Sequence, residues 1–419
     1  MSTRKLLFLY AASLLHSTAN AAEAEPAIQE LDEIVVIGTG IKHATPKAAK
    51  PVTVLSGDQL KINLGQTLGA TLQDQPGISN QSFGAGVGTP VIRGQAGPRV
   101  RVMQNSLGNN DVSSLSPDHA TGVDPIIAER VEVLHGPSTL LYSNGAIGGV
   151  VNVIDNRIPE QVPAKIIGGA GEQRFDSATQ ETSSAIKLEG GNNSLAYHVD
   201  GFYRAQDNTS IGGTAIDESA IRIHDPSFNS IPVGSLQNSQ GYIANTQGRS
   251  RGGSVGFSKI GDAGLIGAAL NSLEKNYAIP PDGHGDTPVS VNLSQTKYDL
   301  KGQLYKPFAF AEAIRLKFGY TDYKHVEMDG AIPGTTFLNQ TFESRLELEQ
   351  QAIGALKGVS GFQTLHSQFE GIGEEAQIVP KSNISSYGVF AVESLEQGPV
   401  TYELGGRVEW QSIDRKSVV

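Results

Sequence analysis

The sequence contains no cysteine, and this absence excludes several kinds of chemistry. Without thiols the 419-residue chain has no disulfides, no thiol nucleophile and no cysteine-ligated zinc site. Charged residues make up only 18% of the chain and sum to a net charge of −11. Nucleic-acid binding requires a basic stripe, so no nucleic-acid partner is expected. The sequence also offers no arrangement of a nucleophile and a base, and we expect a protein that is not an enzyme.

Long hydrophobic runs are also missing, apart from a short one near the N-terminus. Arg4 and Lys5 precede the apolar residues 6–15, and residues 19–21 form a small-x-small cleavage site. This order predicts a secretory signal peptide over residues 1–21. The apolar run is shorter than the roughly 20 residues that a membrane-spanning helix needs. Any membrane span of the exported chain must therefore be a β-barrel, because only helices and barrels satisfy all backbone polar groups in lipid.

Segments of alternating polarity fill the chain from about residue 165. Side chains at Ile314, Leu316, Phe318 and Tyr320 alternate with Arg315, Lys317 and Thr321. Such segments, separated by polar turns, are typical of a membrane β-barrel with its apolar face toward lipid. A soluble β-sandwich would alternate as well, but the export signal argues against it. The alternation yields about ten or eleven strand candidates.

The stretch 123–155 carries the most regular motif of the chain. It predicts a short helical run at 125–128, a strand at 130–134, a Gly-Pro turn, and an apolar strand at 150–154 after a glycine-rich turn. The motif closely resembles the end of the plug domain of TonB-dependent outer-membrane receptors. The matching positions, with the upstream plug motif included, are Arg93, Gly94, Arg130, Glu132, Gly136, Pro137, Gly145, Gly148 and Gly149. Two positions depart from the usual pattern, His135 in place of Arg and Ser143 in place of Gly.

A second resemblance lies between the signal peptide and the plug. Residues 22–46 form a loose leader that contains a short β-prone run, and a run of this kind can add as a strand to the sheet edge of a partner. The run resembles the TonB box of the same receptors and consists of Asp32, Glu33, Ile34, Val35 and Val36. The resemblance implies that TonB, the energy-transducing protein of the inner membrane, is the partner of this segment.

The resemblance also implies a fold and a location. We expect a mixed α/β plug domain at residues 47–160, inside a transmembrane antiparallel β-barrel that begins at residue 161 and runs to residue 419. Plugged outer-membrane transporters have about 22 strands. With ten or eleven candidates, the chain is expected to contain only about half of the barrel. The expected location is the bacterial outer membrane, in contact with its lipid.

Within the plug, the expected elements follow local signals. A strand from residue 51 leads into Ser56 as a helix N-cap, a helix at 68–75 stops at a Pro-Gly pair, and strands cover 90–95 and 99–105. The glycine-rich run 84–89 superficially suggests a nucleotide-binding loop. That motif needs a helix after it, whereas here Pro90 and a strand follow, so we expect no dinucleotide site.

The loop 111–120 suggests the transported substrate. It resembles the apical plug loop of the zinc receptors in this class, and the resemblance implies that Asp118 and His119 are metal ligands. Zinc accepts imidazole nitrogen and carboxylate oxygen, usually in a set of four. His325 and Glu327 are an even number of residues away from Arg315 and Lys317, so they are expected on the same lumen-facing side of the strand. They are the candidates to complete the site. Zinc is thus expected as the transported ligand rather than as a cofactor, and no cofactor is expected.

Other functions remain open at this point. A receptor for an iron-siderophore, haem or another metal chelate would have the same plug and TonB box. Only one histidine, His284, occurs in the loop where zinc receptors often carry several. A truncated surface protein that does not transport would be consistent with the small number of strands.

Overall fold

The computed structural model describes residues 52–142, 145–284, 287–373, 380–398 and 400–415. The expected signal peptide, the leader and the TonB-box residues 32–36 lie outside the described residues. No helix in the described part of the chain is both long enough and apolar enough to cross a membrane.

The plug is a small mixed α/β domain. Its helices are α1 (Gly57–Asn63) and α2 (Leu68–Leu72), and its strands are β1 (Val52–Ser56), β2 (Ile78–Ser82), β3 (Gly88–Ile92), β4 (Val100–Gln104), β5 (Leu107–Gly108), β6 (Arg130–Leu134) and β7 (Gly149–Ile154). Five of these strands form one sheet in the order β1-β6-β7-β4-β5, in which only the pair β4–β7 is parallel. Strands β2 and β3 form a separate hairpin.

Most predicted plug elements are confirmed, with differences at their ends. Thr67 caps α2 through its side chain, which accepts from the Ala70 N–H, and the helix ends at Leu72, three residues earlier than expected. The strand expected at 90–95 ends at Ile92, because Arg93 (φ 50°) and Gly94 (φ 75°) both adopt the left-handed conformation. The run 84–89 leads into β3 rather than into a helix, as expected.

The remaining strands form the barrel wall. They are β8 (Gly168–Asp176), β9 (Glu181–Asn192), β10 (Leu195–Gln206), β13 (Gly248–Gly261), β14 (Gly264–Ala278), β15 (Val289–Phe308), β16 (Ala311–Asp329), β17 (Ile332–Gln350), β18 (Leu356–Gly373), β19 (Ser382–Gln397) and β20 (Val400–Arg415). Each pairs antiparallel with its neighbour in one 11-stranded sheet. Within the described residues the sheet is open, with β8 and β20 at its edges, and this confirms the expected partial barrel.

The region 207–247, between β10 and β13, contains secondary structure of its own. It consists of β11 (Thr209–Thr214), α3 (Glu218–His224), a 3₁₀ helix (Pro226–Ser230) and β12 (Gln240–Ile243), and β11 pairs with β12. The turns at the opposite end of the wall are short. Outer-membrane barrels have short periplasmic turns and longer extracellular loops, so the 207–247 end of the wall is the extracellular one.

Aromatic side chains mark the height of the lipid band. Tyr298, Tyr320 and Phe342 lie side by side at the middle of three adjacent strands, with ring centroids 6.1 and 4.5 Å apart. Phe308 and Phe310 stack at the periplasmic end. The rise from residue 298 to residue 308 is about 33 Å along the strand, and a tilt of about 40° reduces it to roughly 25 Å, the height of the apolar band of such barrels. The extracellular parts of these strands therefore project beyond the hydrocarbon region.

The lumen face of the wall binds the plug largely through the plug main chain. Lys275, Lys297 and Lys317 each donate to carbonyl oxygens of the plug segment 105–123, at distances of 3.0 to 3.3 Å. Ion pairs add to this contact, including Arg204 with Asp124 at 3.1 Å. The segment that carries His119 is therefore held directly against the wall.

Candidate metal centre

Three of the four predicted metal ligands converge at the extracellular side of the interface between plug and barrel. His119 comes from the plug loop after β5, and His325 and Glu327 lie near the C-terminal end of strand β16. One ligand atom from each residue lies within 4.8 Å of the other two. The alternation on β16 explains half of this geometry, because residues 325 and 327 both face the lumen.

Hydrogen bonds define which nitrogen of His119 faces the group. Nδ1 lies 3.1 Å from the Val112 carbonyl oxygen, which can only accept, so Nδ1 carries a proton. Nε2 lies 2.9 Å from Glu327 Oε1. If Nε2 had only its lone pair, two acceptors would face each other at this distance. A proton or a cation must therefore lie between these two atoms.

His325 presents its other nitrogen to the same carboxylate. Its Nδ1 lies 3.1 Å from the Tyr323 hydroxyl, while Nε2 lies 3.5 Å from Glu327 Oε1 and makes no hydrogen bond despite complete burial. The two imidazole rings are 4.4 Å apart. A buried nitrogen that makes no hydrogen bond and lies close to a carboxylate and a second imidazole is placed where it could ligate a metal ion.

The surroundings of the group are apolar on one side and open on the other. Phe337 lies 5.5 Å from His119 and 5.7 Å from His325, measured between ring centroids. Both histidines are at most 2% exposed, whereas the Glu327 side chain is 19% exposed. The carboxylate is therefore the accessible side of the group, and the apolar side would strengthen the attraction between these side chains and a cation.

Charge in the group raises the pKa of His119. Burial alone would lower it, but the bonds to Glu327 and to the Val112 carbonyl, together with the carboxylates of Asp118 and Glu327, outweigh burial. The raised pKa means that a metal ion binding here would compete with a proton for His119 up to a higher pH than at an ordinary histidine.

Asp118 does not join the group. It is half-buried next to His119, and its carboxylate accepts a hydrogen bond from the Ser116 hydroxyl. His284 is also separate, since its ring contacts Phe228 and bonds to Asp282 at 2.9 Å in the extracellular loops. Neither residue belongs to a metal-like group among the described residues.

The predicted plug-motif residues build turns and the domain core rather than the metal centre. Gly136 (φ 70°) starts the turn after β6, and a Cβ at Gly149 (φ 156°) would collide with Ile92 and with the Leu134 carbonyl. Glu132 is fully buried and accepts from Arg130 at 2.9 Å. Gly145 and Gly148 lie in the turn before β7, and Pro137 lies in a 3₁₀ helix, Gly136–Leu141.

Sequence reasoning missed the residues that support the ligands. Tyr277 contacts the main chain around His119, and Tyr323 contacts the His325 ring. Tyr323 lies two residues before His325 and therefore on the same lumen-facing side of the strand, so the sequence alone could have identified it. No pattern along the chain connects Tyr277 with residue 119.

Comparison with known proteins identifies the N-terminal domain. Residues 45–150 match the family described as the TonB-dependent Receptor Plug Domain. The chain carries the plug domain of TonB-dependent receptors. Solved structures share the fold of plug and barrel at 15% identity: the copper transporter OprC with a TM-score of 0.67, and the ferric enterobactin receptor PfeA of Pseudomonas aeruginosa with 0.63. The predicted fold class and the outer-membrane location are thereby confirmed, and the predicted receptor family is confirmed for the plug domain.

Relatives with curated names are similar over part of their length. The rhizobactin receptor of Rhizobium meliloti (strain 1021) is 31% identical over 169 residues, which are 38% of this chain and 22% of the relative. The hemin receptor of Yersinia pestis is 24% identical over 284 residues, 64% of this chain and 38% of the relative. A vitamin B12 transporter, BtuB of Vibrio vulnificus (strain CMCP6), is 30% identical over 198 residues, 45% and 32% of the two chains. None of these names indicates zinc.

The chain is shorter than all of these proteins. The matched regions span less than two fifths of the named relatives. The structural match with the copper transporter covers 87% of this chain and 56% of the transporter. The match with the enterobactin receptor covers 88% of this chain and 58% of the receptor.

Proposed function

We propose that this protein takes part in TonB-dependent import of zinc across the outer membrane, with His119, His325 and Glu327 as ligands of the transported ion. The observation that carries the proposal is the convergence of these side chains within 4.8 Å. Two imidazoles and one carboxylate are a set that zinc commonly accepts, with a fourth position left for water. The lack of a hydrogen bond at His325 Nε2 and the 2.9 Å approach of His119 Nε2 to Glu327 Oε1 support the same conclusion.

Zinc fits the ligands better than Cu(I) does. Imidazole binds both metals, but Cu(I) is selected by thiolate and thioether ligands, and the three residues include neither. The carboxylate is a harder ligand that suits Zn²⁺. Likeness to a copper transporter at 15% identity concerns the fold and does not alter this choice.

The ligands come from two bodies, and this division supplies a means of release. His119 moves with the plug, whereas His325 and Glu327 stay with the wall. We infer that TonB binds the segment 32–36 and pulls the plug. Once His119 leaves, two ligands remain on the wall, and two ligands hold zinc more weakly than three.

A receptor for a metal chelate is the second candidate, and the names of the relatives favour it. They include receptors for rhizobactin and hemin and a transporter for vitamin B12. The burial of the ligands argues against this candidate. Both histidines are at most 2% exposed, so a ligand much larger than a bare or hydrated ion cannot contact both rings.

Zinc titration of the full-length protein, purified from outer membranes in detergent, tests the proposal. We expect micromolar or tighter binding that is weakened at least about a hundredfold, but still measurable, in His119→Ala and in His325→Ala. His366→Ala is the matched control, because His366 lies exposed on the outer face of β18 and bonds only to Ser385 there. An intact protein that binds no zinc, or two variants that bind as the wild type does, would contradict the proposal and favour a chelate receptor.

A further inference from the structure

Strand β14 holds the plug segment 118–123 through two lumen-facing side chains, and we refer to this contact as the β14 clamp. Lys275 donates to the carbonyl oxygens of Thr121 at 3.1 Å and Val123 at 3.0 Å. Tyr277, two residues further along the same face, contacts the main chain nearer to His119. Both side chains are at least 94% buried. Because they bind the main chain, they fix its position whatever side chains the segment carries.

The Tyr277 hydroxyl bridges the peptide groups on the two sides of His119. It accepts from the Ala120 N–H at 3.0 Å and donates to the Asp118 carbonyl oxygen at 3.2 Å. Its one proton and its lone pairs are thus both used. The ligand residue lies between the two bridged groups, so the hydroxyl fixes the main chain from which the imidazole projects.

The ring of Tyr277 is itself rigidly placed. It packs in a buried cluster with Val87, Ala120 and Val291. A Cβ at Gly86 would come to 2.6 Å from the Tyr277 Cβ, so the plug backbone lies directly against the tyrosine. A tyrosine ring that is enclosed in this way cannot change its rotamer, so its hydroxyl keeps one position on the wall.

We propose that Tyr277 is a positioning residue that sets the distance between His119 on the plug and the two ligands on β16. The proposal rests on the proposed function. Strand β15 alone separates β14 from β16 in the sheet, so the clamp and the barrel ligands belong to one rigid part of the wall. Tyr277 touches no ion in this arrangement and acts only through the main chain of residues 118–120.

The test uses Tyr277→Phe in the full-length protein, which keeps the ring and removes the hydroxyl. Tyr298→Phe is the matched control, because that hydroxyl lies on the lipid-facing side of β15. We expect zinc affinity to fall about tenfold in Tyr277→Phe, as for the loss of one or two neutral hydrogen bonds. Amide hydrogen exchange in residues 118–123 should become faster in the same variant, while the control leaves both measurements unchanged.

A double-mutant cycle separates positioning from general destabilisation. In the His119→Ala background the hydroxyl has no imidazole left to position, so Tyr277→Phe should not further weaken whatever zinc binding remains. Equal losses in both backgrounds would overturn the proposal. So would faster exchange without any change in affinity.

Zinc binding by the wild type distinguishes failure of this proposal from failure of the proposed function. If the wild type binds no zinc, the proposed function fails and the positioning role fails with it, whether or not residues 118–123 exchange faster in Tyr277→Phe. If the wild type binds zinc and Tyr277→Phe changes neither affinity nor exchange, only the positioning role is overturned.

Discussion

Glu327 and Asp118 are two carboxylates next to His119, one from the barrel and one from the plug, and their environments differ. Glu327 Oε1 lies 2.9 Å from His119 Nε2 and 3.5 Å from His325 Nε2. The Asp118 carboxylate is bonded to the Ser116 hydroxyl in its own loop. At the residue scale, Glu327 is therefore the carboxylate that we expect to complete the proposed ligand group, and we expect Asp118 to act on it only through its charge.

Neutral substitutions of the two carboxylates should separate these roles. We expect Glu327→Gln to weaken zinc binding at least about a hundredfold, because even residues behind the ligands are worth about 10–100-fold. Asp118→Asn should cost less than about tenfold, because it removes only a neighbouring charge. Isothermal titration of both variants checks this. Equal losses would mean that Asp118 moves into the ligand group when the ion binds.

Protonation of His119 makes zinc binding depend on pH. Burial would lower the pKa of His119, but the bonds to Glu327 and to the Val112 carbonyl outweigh it, so the metal-free protein keeps the imidazole protonated to a higher pH than an ordinary histidine. Zinc needs the neutral form and displaces this proton. The apparent affinity should therefore weaken as the pH falls through the raised pKa and level off above it. The same titration with His119→Ala should lack this contribution, and a slope that is equally steep in the variant would assign the proton to another group.

The same raised pKa has the opposite consequence for the stability of the metal-free protein. A histidine whose pKa is higher in the folded than in the unfolded state contributes stability that is fully present below its unfolded pKa of about 6.5. That contribution is lost as the pH rises through the folded pKa. Thermal unfolding in the presence of a chelator should therefore show the advantage of wild type over His119→Ala shrinking toward alkaline pH.

At the scale of secondary structure, alternation predicted the wall well and the metal centre in part. The period of two correctly placed His325 and Glu327 on the lumen face, and β6 begins and ends at the predicted residues. Strand β3 ends earlier than predicted because Arg93 and Gly94 adopt a left-handed backbone conformation. A pattern of polar and apolar residues does not reveal that conformation. The pairing of His119 with β16 depends on how the plug is rotated inside the wall, and no local pattern encodes that rotation.

The segment that joins the plug to the wall lies in a groove made by glycines. A Cβ at Gly256 would overlap the Arg157 carbonyl oxygen, and one at Gly267 would overlap the Ile158 side chain. Arg157 is also bonded to Asp155 and, at 3.1 Å, to Asp299 of β15. The linker is thus held by both close packing and charge, and we expect it to stay on the wall when the rest of the plug moves.

Filling this groove should loosen the linker. Gly256→Ala forces the added methyl against a backbone atom that cannot rotate away, and overpacking of this kind costs about 1–3 kcal/mol. Gly302→Ala is the matched control, since a Cβ there meets nothing within 4 Å. Limited proteolysis should cleave residues 155–163 faster in Gly256→Ala than in the control. Equal cleavage rates would show that the groove does not hold the linker.

At the scale of the whole molecule, the proposed ligand group connects two bodies, and the proposed transport requires that they separate. The chain contains no natural cysteine, so pairs of introduced cysteines can fix one contact at a time. Ser250 Oγ lies 3.4 Å from the Asp124 carboxylate, so this pair joins the wall to the segment that carries His119. Ile158 and Gly267 are in direct contact and join the wall to the linker.

The two disulfides should affect transport differently. Asp124→Cys/Ser250→Cys, when oxidised, should keep zinc binding and stop TonB-dependent uptake of radioactive zinc, because His119 then cannot leave the wall. Ile158→Cys/Gly267→Cys should leave uptake near the wild-type rate, because the linker is expected to stay in place. Reductant should restore uptake to the first variant, and its two single-cysteine variants separate the effect of the bond from the loss of the Asp124 ion pair. Uptake that continues through the oxidised first disulfide would mean that the ion passes without displacement of residues 118–124, and the divided ligand group would then not explain release.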